Sequence, residues 1–231
     1  MTMLTRILEP EVMDTVSEAV DYDQMDHSGV NRLFVDDLLT TLRANPMPGS
    51  IQIFDAGTGT AQIPLELMRR GLDATVTATD LAEQMLIVAQ QNVNAAGFAK
   101  SIRLVLADCK QLSDANGTYD VVMSNSIVHH IPEPLEVLAE LWRILKPGGL
   151  LFVRDLLRPD DQATLDGLVQ TYAGTSNGHQ QQMFRDSLHA ALTVNEVREL
   201  LKHVGIPVTS VQATSDRHWT IAATKATADR L

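Results

Sequence analysis

The sequence predicts an α/β fold in which a mostly parallel sheet is layered between helices, and two observations carry that expectation. The first is a glycine-rich strand-to-helix turn, Phe54-Asp55-Ala56-Gly57-Thr58-Gly59-Thr60-Ala61, directly after the apolar run Ile51-Gln52-Ile53. Two glycines let the backbone turn sharply and leave no side chain in a ligand's way, and Ala61 is small enough for helix and strand to pack closely. The second is Asp80, which closes the run Ala74-Thr75-Val76-Thr77-Ala78-Thr79 where a βαβ unit returns its next strand end to the same edge. A carboxylate there accepts both hydroxyls of a ribose.

The remaining elements follow in order. Val30, Leu33, Phe34, Leu38 and Leu42 fall near helical spacing and predict a helix that stops before Asn45-Pro46-Met47-Pro48-Gly49. Residues 1–49 then form an N-terminal helical cap, with residues 1–29 as a lid. Ile63, Leu67 and Met68 mark the helix after the glycine turn, where Pro64 is tolerated in the first turn. Leu81, Met85 and Val88, spaced i, i+4, i+7, define the next helix. Residues 102–107 read as a third strand ending in Asp108-Cys109, and residues 119–126 as a fourth running into a loop. Leu135, Leu138, Trp142 and Leu145 give a helix with a core-facing stripe, ended by the turn Lys146-Pro147-Gly148-Gly149. Residues 150–153 are a buried strand that delivers Arg154 and Asp155 to its carboxyl end. Residues 159–192 form an insertion and a candidate substrate lid, with a mobile loop at Ala173-Gly174-Thr175-Ser176-Asn177-Gly178. Thr193-x-x-Glu196 is a capping box opening a helix with Val194, Val197, Leu201 and Val204 inward, stopped at Gly205. Residues 208–213 and 218–224 pair as closing antiparallel strands. No repeat or domain-joining linker divides the chain, so 1–231 is a single domain, with a cofactor-binding core over 50–158 and a C-terminal helix and hairpin over 193–231.

Composition bounds the function. At 231 residues and 45% hydrophobic, the chain is long enough for one sizeable α/β core and short for two. A net charge of −11 with no basic run disfavours a nucleic-acid partner. No apolar stretch has the length of a membrane span, and Met1-Thr2-Met3-Leu4-Thr5-Arg6 lacks a signal-peptide core, so a cytoplasmic setting is expected. The single cysteine, Cys109, cannot form an internal disulfide and reads as a small buried residue. His27, His179, His203 and His218 are scattered, without the H-x-x-x-H spacing of a helical ligand pair, so no metal site is expected.

Two cofactor classes use a glycine turn of this shape. A dinucleotide wants G-x-G-x-x-G and no negative charge beside its pyrophosphate. Here Gln62 stands at the third glycine position and Asp55 lies two residues before the first. An acidic group at the turn suits a cation instead, such as the amino group and sulfonium of S-adenosylmethionine. The D-x-G-x-G turn with Asp80 downstream resembles the class I methyltransferase family, and the likeness continues over residues 50–155 with family-like spacing. It implies a three-layer Rossmann-like fold with a seven-stranded, mostly parallel sheet that ends in an antiparallel hairpin. It also implies roles: Asp55, Gly57 and Gly59 at the cofactor's amino-acid end, Asp80 on the ribose, and Leu81 and Met85 flanking adenine. Asp108 matches the position that accepts from the adenine amino group, with Cys109 beside it, and Asn125 opens the loop that approaches the methionine part. Tyr22, from the lid, is placed near the sulfonium, where an aromatic face attracts positive charge.

On the acceptor side the resemblance says less. His129-His130 resembles the V-H-H-I-P-x-P loop of small-molecule members; adjacent residues point apart, so one of them faces the acceptor. His129 is taken as the catalytic candidate, and His130, Arg154, Asp155, Arg185 and His189 as substrate-side candidates. An arginine there could clamp an anionic substrate or simply pair with Asp155 or Asp186. The leading expectation is metal-independent methyl transfer from S-adenosylmethionine to a small-molecule acceptor, leaving S-adenosylhomocysteine, with a homodimer left open. Rival readings are a non-catalytic cofactor-binding module, an RNA or protein methyltransferase, and a nicotinamide-dependent dehydrogenase, the last disfavoured by Gln62 and Asp55.

Overall fold

The computed structural model describes residues 4–9 and 14–227. Residues 1–3 and 10–13 of the expected cap, and residues 228–231 of the expected C-terminal piece, lie outside the described residues. Seven strands form one sheet: β1 (Ile51–Ala56), β2 (Ala74–Asp80), β3 (Ile102–Leu106), β4 (Tyr119–Asn125), β5 (Leu145–Leu156), β6 (Val211–Ala213) and β7 (His218–Thr224). Their order is β3-β2-β1-β4-β5-β7-β6, with parallel pairing from β3 to β5. Only β7 runs antiparallel to its neighbours β5 and β6. The expected seven-stranded sheet with its closing hairpin is therefore present.

Central strands have no solvent face, and their sequences say so. Successive residues Ile53 and Phe54, Val121 and Val122, and Leu151 and Phe152 are all buried, each pair feeding opposite faces. One layer packs Ile53, Val121 and Phe152 under α2 (Ser28–Ala44), α3 (Gln62–Arg69) and α4 (Glu83–Ala95). The other packs Phe54, Val122 and Leu151 against α5 (Pro134–Ile144) and α8 (Val194–Val204), together with Trp219 and Ile221 of β7. Burying each such side chain stabilises the fold by about 1.5–3 kcal/mol.

The N-terminal cap begins with α1 (Val16–Gln24), opened by a capping box between Thr15 and Glu18 and seated on α4 through Ala19, Ala82 and Met85. In α2 the buried stripe is Phe34, Val35, Leu38, Leu39 and Leu42, whereas Leu33, expected inward, is 61% exposed. The inward face is centred on Phe34, Val35, Leu38 and Leu42, which leaves Leu33 on its solvent edge. The expected insertion folds as a helical hairpin of α6 (Gln162–Ala173) and α7 (Gly178–Ala190), with a small core of its own around Leu165, Val169 and Leu188. Part of the loop expected to be mobile is structural, because Asn177 caps α7 in a capping box with Gln180. The capping box at Thr193 opens α8, which ends on Gly205 in the left-handed region, as expected.

Two boundaries need correction. Lys146-Pro147-Gly148-Gly149 is not a turn between helix and strand but part of the twelve-residue β5, which pairs Leu145 with Tyr119 before a register shift. The Gly149 carbonyl accepts from the Lys225 amide, and the Gly148 amide donates to the Lys225 carbonyl, so this glycine pair, with Gly148 at φ +81°, is an irregular stretch of the strand tied down by residues after β7. The sixth strand is also shorter than expected, because Val208–Ser210 forms a turn of 3-10 helix and only Val211–Ala213 pairs with β7.

Candidate active site

The sheet places a crevice between β1 and β4. From β1 the chain builds outward through β2 and β3, then crosses to β4 on the other side of β1, so connections diverge at the carboxyl ends of these two strands. The glycine turn fills that point. The Thr58 amide donates to the Thr79 carbonyl (2.8 Å), the Thr79 hydroxyl to the Asp55 carbonyl (3.0 Å) and the Ser124 hydroxyl to the Ala56 carbonyl (2.9 Å). Gly57 has φ +68°, and a Cβ there would lie 2.2 Å from Ile127 Cγ2, so glycine is required for both conformation and space. Ala61 (φ 64°) and Ser126 (φ 58°) flank the crevice in the same left-handed region, a strain that non-glycine residues accept only when the surroundings hold them.

Asp80 closes the unit. Its Oδ2 accepts from the Gly59 amide (2.8 Å) and its Oδ1 from the Ala82 amide (2.9 Å), so the carboxylate at the end of β2 is locked to the glycine turn. Asp55 lies beneath, 2% exposed, with an Oδ2 that has no hydrogen-bond partner. Burial pushes its carboxyl up to about 7, against the pull of Thr58. Burial likewise raises Asp80, although three backbone amides oppose it.

Two clefts open here. The first, about 140 Å³, is lined by Tyr22, Gly57, Gly59, Asp80, Leu81, Met85, Asp108, Cys109 and Asn125, with Ser126, Ile127 and His130 among the others. The second, about 240 Å³, shares Tyr22, Gly57 and Asn125 and continues over Asp23, Asp26, His27, Thr58, Thr60 and Gln62. Tyr22 spans both from α1; its ring edge would lie 3.4 Å from a Cβ on Gly59. Asp23 fastens that helix down by accepting from Gln62 Nε2 (2.9 Å) and Asn92 Nδ2 (2.9 Å). Among the described residues the only lysine or arginine lining either cleft is Lys110, whose Nζ lies 3.1 Å from Asp108. The crevice is acidic, which suits a cation and not a pyrophosphate.

Every residue expected on the cofactor side except Asp55 lines the first cleft. The acceptor side is different. His129 is 4% exposed and lines neither cleft: its Nδ1 lies 2.5 Å from Asp155 Oδ1, and its Nε2 faces Glu9. Burial alone would lower this imidazole, but the Asp155 and Glu9 carboxylates hold it above its ordinary range, and His129 in turn holds the buried Asp155 low. The neighbour that reaches the cleft is His130. Arg154 and Asp155 do not reach it either. Arg154 pairs with Asp37 (2.5 Å) and Thr220 (3.0 Å) beside the packed rings of Phe34 and Phe152, and Asp155 is spent on His129 and the amides of Val128 and Leu156. Arg185 pairs with Asp166 across the α6–α7 hairpin, and His189 sits on α7, away from both clefts. Burial pushes the Cys109 thiol up to about 12, so it packs and does not react.

The sequence reading missed Glu9, Asp23 and Arg6. The Arg6 guanidinium donates to the carbonyls of Ala190 (2.7 Å), Ile131 (2.9 Å) and His129 (3.2 Å), laying residues 4–9 against α7 and the loop after β4. An aperiodic segment gives no sequence signal for such contacts.

A sheet of this order with an acidic glycine turn at its switch point is that of a class I, Rossmann-like methyltransferase domain. Residues 54–153 match the family described as methyltransferase domain, and the chain has the fold of the S-adenosylmethionine-dependent methyltransferases. It is 33% identical over 138 residues to the ubiquinone/menaquinone biosynthesis C-methyltransferase UbiE of Cereibacter sphaeroides, covering 58% of this chain and 54% of that protein. It is 30% identical over 122 residues to a ubiquinone biosynthesis O-methyltransferase of Rhizobium leguminosarum, covering 53% and 46%. The chain thus spans about half the length of these relatives. A solved methyltransferase from Aquifex aeolicus shares the fold with a TM-score of 0.66 at 22% identity, covering 91% of this chain and 98% of that one. No helix among the described residues is long and apolar enough to cross a membrane.

Proposed function

We propose that the protein is an S-adenosylmethionine-dependent methyltransferase that passes a methyl group to a small-molecule acceptor by in-line displacement. The observation that carries this reading is the bond between Asp80 and the Gly59 amide, which fixes a carboxylate beside side-chain-free backbone at the switch point. The residues present fit the cofactor. Asp80 keeps lone pairs for ribose hydroxyls, since each oxygen accepts one backbone bond. Leu81 and Met85 flank adenine, Asp108 takes its amino group and Cys109 packs behind. Gly57, Gly59 and Asn125 cradle the amino-acid end, and the partnerless oxygen of Asp55 supplies negative potential from below.

Bound S-adenosylmethionine supplies an electrophilic methyl carbon on a sulfonium. What the chain must do is align an acceptor and exclude water. Tyr22, held by α1 over Gly59, closes the cofactor in, and the His130 end of the first cleft, beside Ser126, Ile127 and Ile131, receives the acceptor. His130 takes the acceptor-side role expected of His129, because it lines a cleft and His129 does not. The two quinone-pathway relatives methylate carbon and oxygen by name, which supports a carbon or oxygen nucleophile here. A lone buried thiol agrees with a cytoplasmic setting.

The test is calorimetric titration with S-adenosylmethionine, S-adenosylhomocysteine and NAD, beside an Asp80→Ala variant, followed by methyl transfer to a panel of small phenols, quinols and amines. Micromolar binding of the first two ligands, lost in the variant, with turnover of at least one acceptor supports the reading. Binding of NAD alone, or no binding by folded protein, sinks it; binding without turnover leaves a cofactor-binding module.

A further inference from the structure

We propose that Glu9, His129 and His130 form a site for a divalent transition-metal ion of the zinc type, which pins the N-terminal segment to the loop after β4. Glu9 Oε1 lies 3.4 Å from His129 Nε2 and 3.2 Å from His130 Nδ1, and the three ligand atoms all fall within 4.8 Å of one another. These separations are long for hydrogen bonds, and Glu9 Oε1 is buried without a hydrogen bond of acceptable geometry. They are, however, the spacing of ligands around a small ion. Tetrahedral bonds of about 2.0–2.1 Å put neighbouring ligand atoms about 3.3 Å apart.

The surroundings are those of a metal-binding histidine. The Asp155 carboxylate can only accept, so the 2.5 Å contact places a proton on His129 Nδ1 and turns Nε2 to Glu9, where a metal ion would take the place of an imidazolium's second proton. Asp155 is itself fixed by the amides of Val128 (2.5 Å) and Leu156 (2.6 Å), so the imidazole is held from behind in one orientation. The carboxylate is delivered with equal care, because Arg6 anchors its segment on the carbonyls of Ala190, Ile131 and His129.

Two imidazole nitrogens and one carboxylate oxygen favour zinc-type ions over magnesium or calcium, which prefer all-oxygen shells. Glu9 and His129 are 120 residues apart in sequence by their numbers, so no motif spacing could have disclosed the set. Methyl transfer as proposed above does not route through this ion; His130 enters both proposals, and cofactor binding tests the first while metal titration tests the second.

The test uses untagged, chelator-treated protein. Zinc is titrated calorimetrically, and cobalt is followed by its visible ligand-field absorption, in wild type and in Glu9→Gln and His130→Ala. One ion per chain is expected, with a tetrahedral cobalt spectrum and affinity about 10-fold or more weaker in both variants. Circular dichroism and urea midpoints check that each variant folds, and the two variants lie in separate segments, so one misfolding leaves the other decisive. No stoichiometric binding by the wild type, or affinity unchanged in a folded variant, overturns the site and leaves Asp155, His129 and Glu9 as a proton-linked chain.

Discussion

Gly57 and Asp55 show how single residues set what the crevice binds. Replacing Gly57 by alanine forces a Cβ to within 2.2 Å of Ile127 at a φ of +68°, so Gly57→Ala should cost about 1–3 kcal/mol of stability and abolish cofactor binding. Urea midpoints and calorimetry measure both; a folded variant with unchanged affinity would show that the turn is no cradle. Asp55 carries the pH dependence. Between its unfolded value near 3.8 and its folded value of about 7, the unfolded chain has lost the proton that the folded chain keeps, so this group makes stability fall as pH rises through that window. A cationic ligand favours the ionised form, so S-adenosylmethionine should bind more tightly at pH 8 than at pH 6. Asp55→Asn should flatten both trends, and an equally steep affinity profile in that variant would remove Asp55 from the site. The lining of the first cleft was legible in sequence because Asp80, Asp108 and Asn125 each sit at or just after a strand's carboxyl end, a position that topology fixes. Roles for His129 and Arg154 were not legible, since the partners that draw them away, Asp155 and Glu9 in one case and Asp37 and Thr220 in the other, are placed by tertiary packing.

Among the elements, α1 is the one that moves from background to function. Its inner face is small, built on Ala19 against Ala82 and Met85, so its seat on α4 depends on polar ties as well as packing. Asp23 provides two of these, to Gln62 and Asn92, and Asn92 also donates to the Thr60 carbonyl (3.2 Å) inside the glycine turn. The helix beside the clefts and the glycine turn are thereby one unit. Asp23→Ala should speed cofactor release and weaken affinity about 5- to 30-fold, with faster hydrogen exchange across Val16–Gln24. Unchanged release with loosened α1 would separate the lid from the site. The existence of most elements could be read from period and caps, but faces and ends less well. Leu33 looked inward because a helical stripe drawn on sequence spreads over positions that packing then narrows. Gly148 and Gly149 looked like a turn, and Gly148 keeps a turn's left-handed backbone at φ +81°, but their place in the sheet depends on Lys225, more than 70 residues later by their numbers.

At the scale of the molecule, the chain's beginning is used to hold its middle. Arg6 bridges the end of α7, through Ala190, to the loop after β4, through His129, Ile131 and Pro132, while the Leu4 amide donates to the Asp160 carbonyl and the Ile7 amide to the His189 carbonyl. Sheet, hairpin and loop are thus stitched on one side by a segment with almost no secondary structure. Because the guanidinium is only partly buried, the loss in Arg6→Ala should be about 1–3 kcal/mol, less than its number of bonds suggests. Its location is the sharper expectation. If the segment braces the cleft wall, hydrogen exchange in Arg6→Ala should quicken over residues 127–131 and 189–192 while β1 to β3 stay protected, and cofactor affinity should fall less than acceptor turnover. Uniform acceleration across the sheet would make Arg6 a general stabiliser, and no change at the loop after β4 would detach the N-terminal segment from the site altogether.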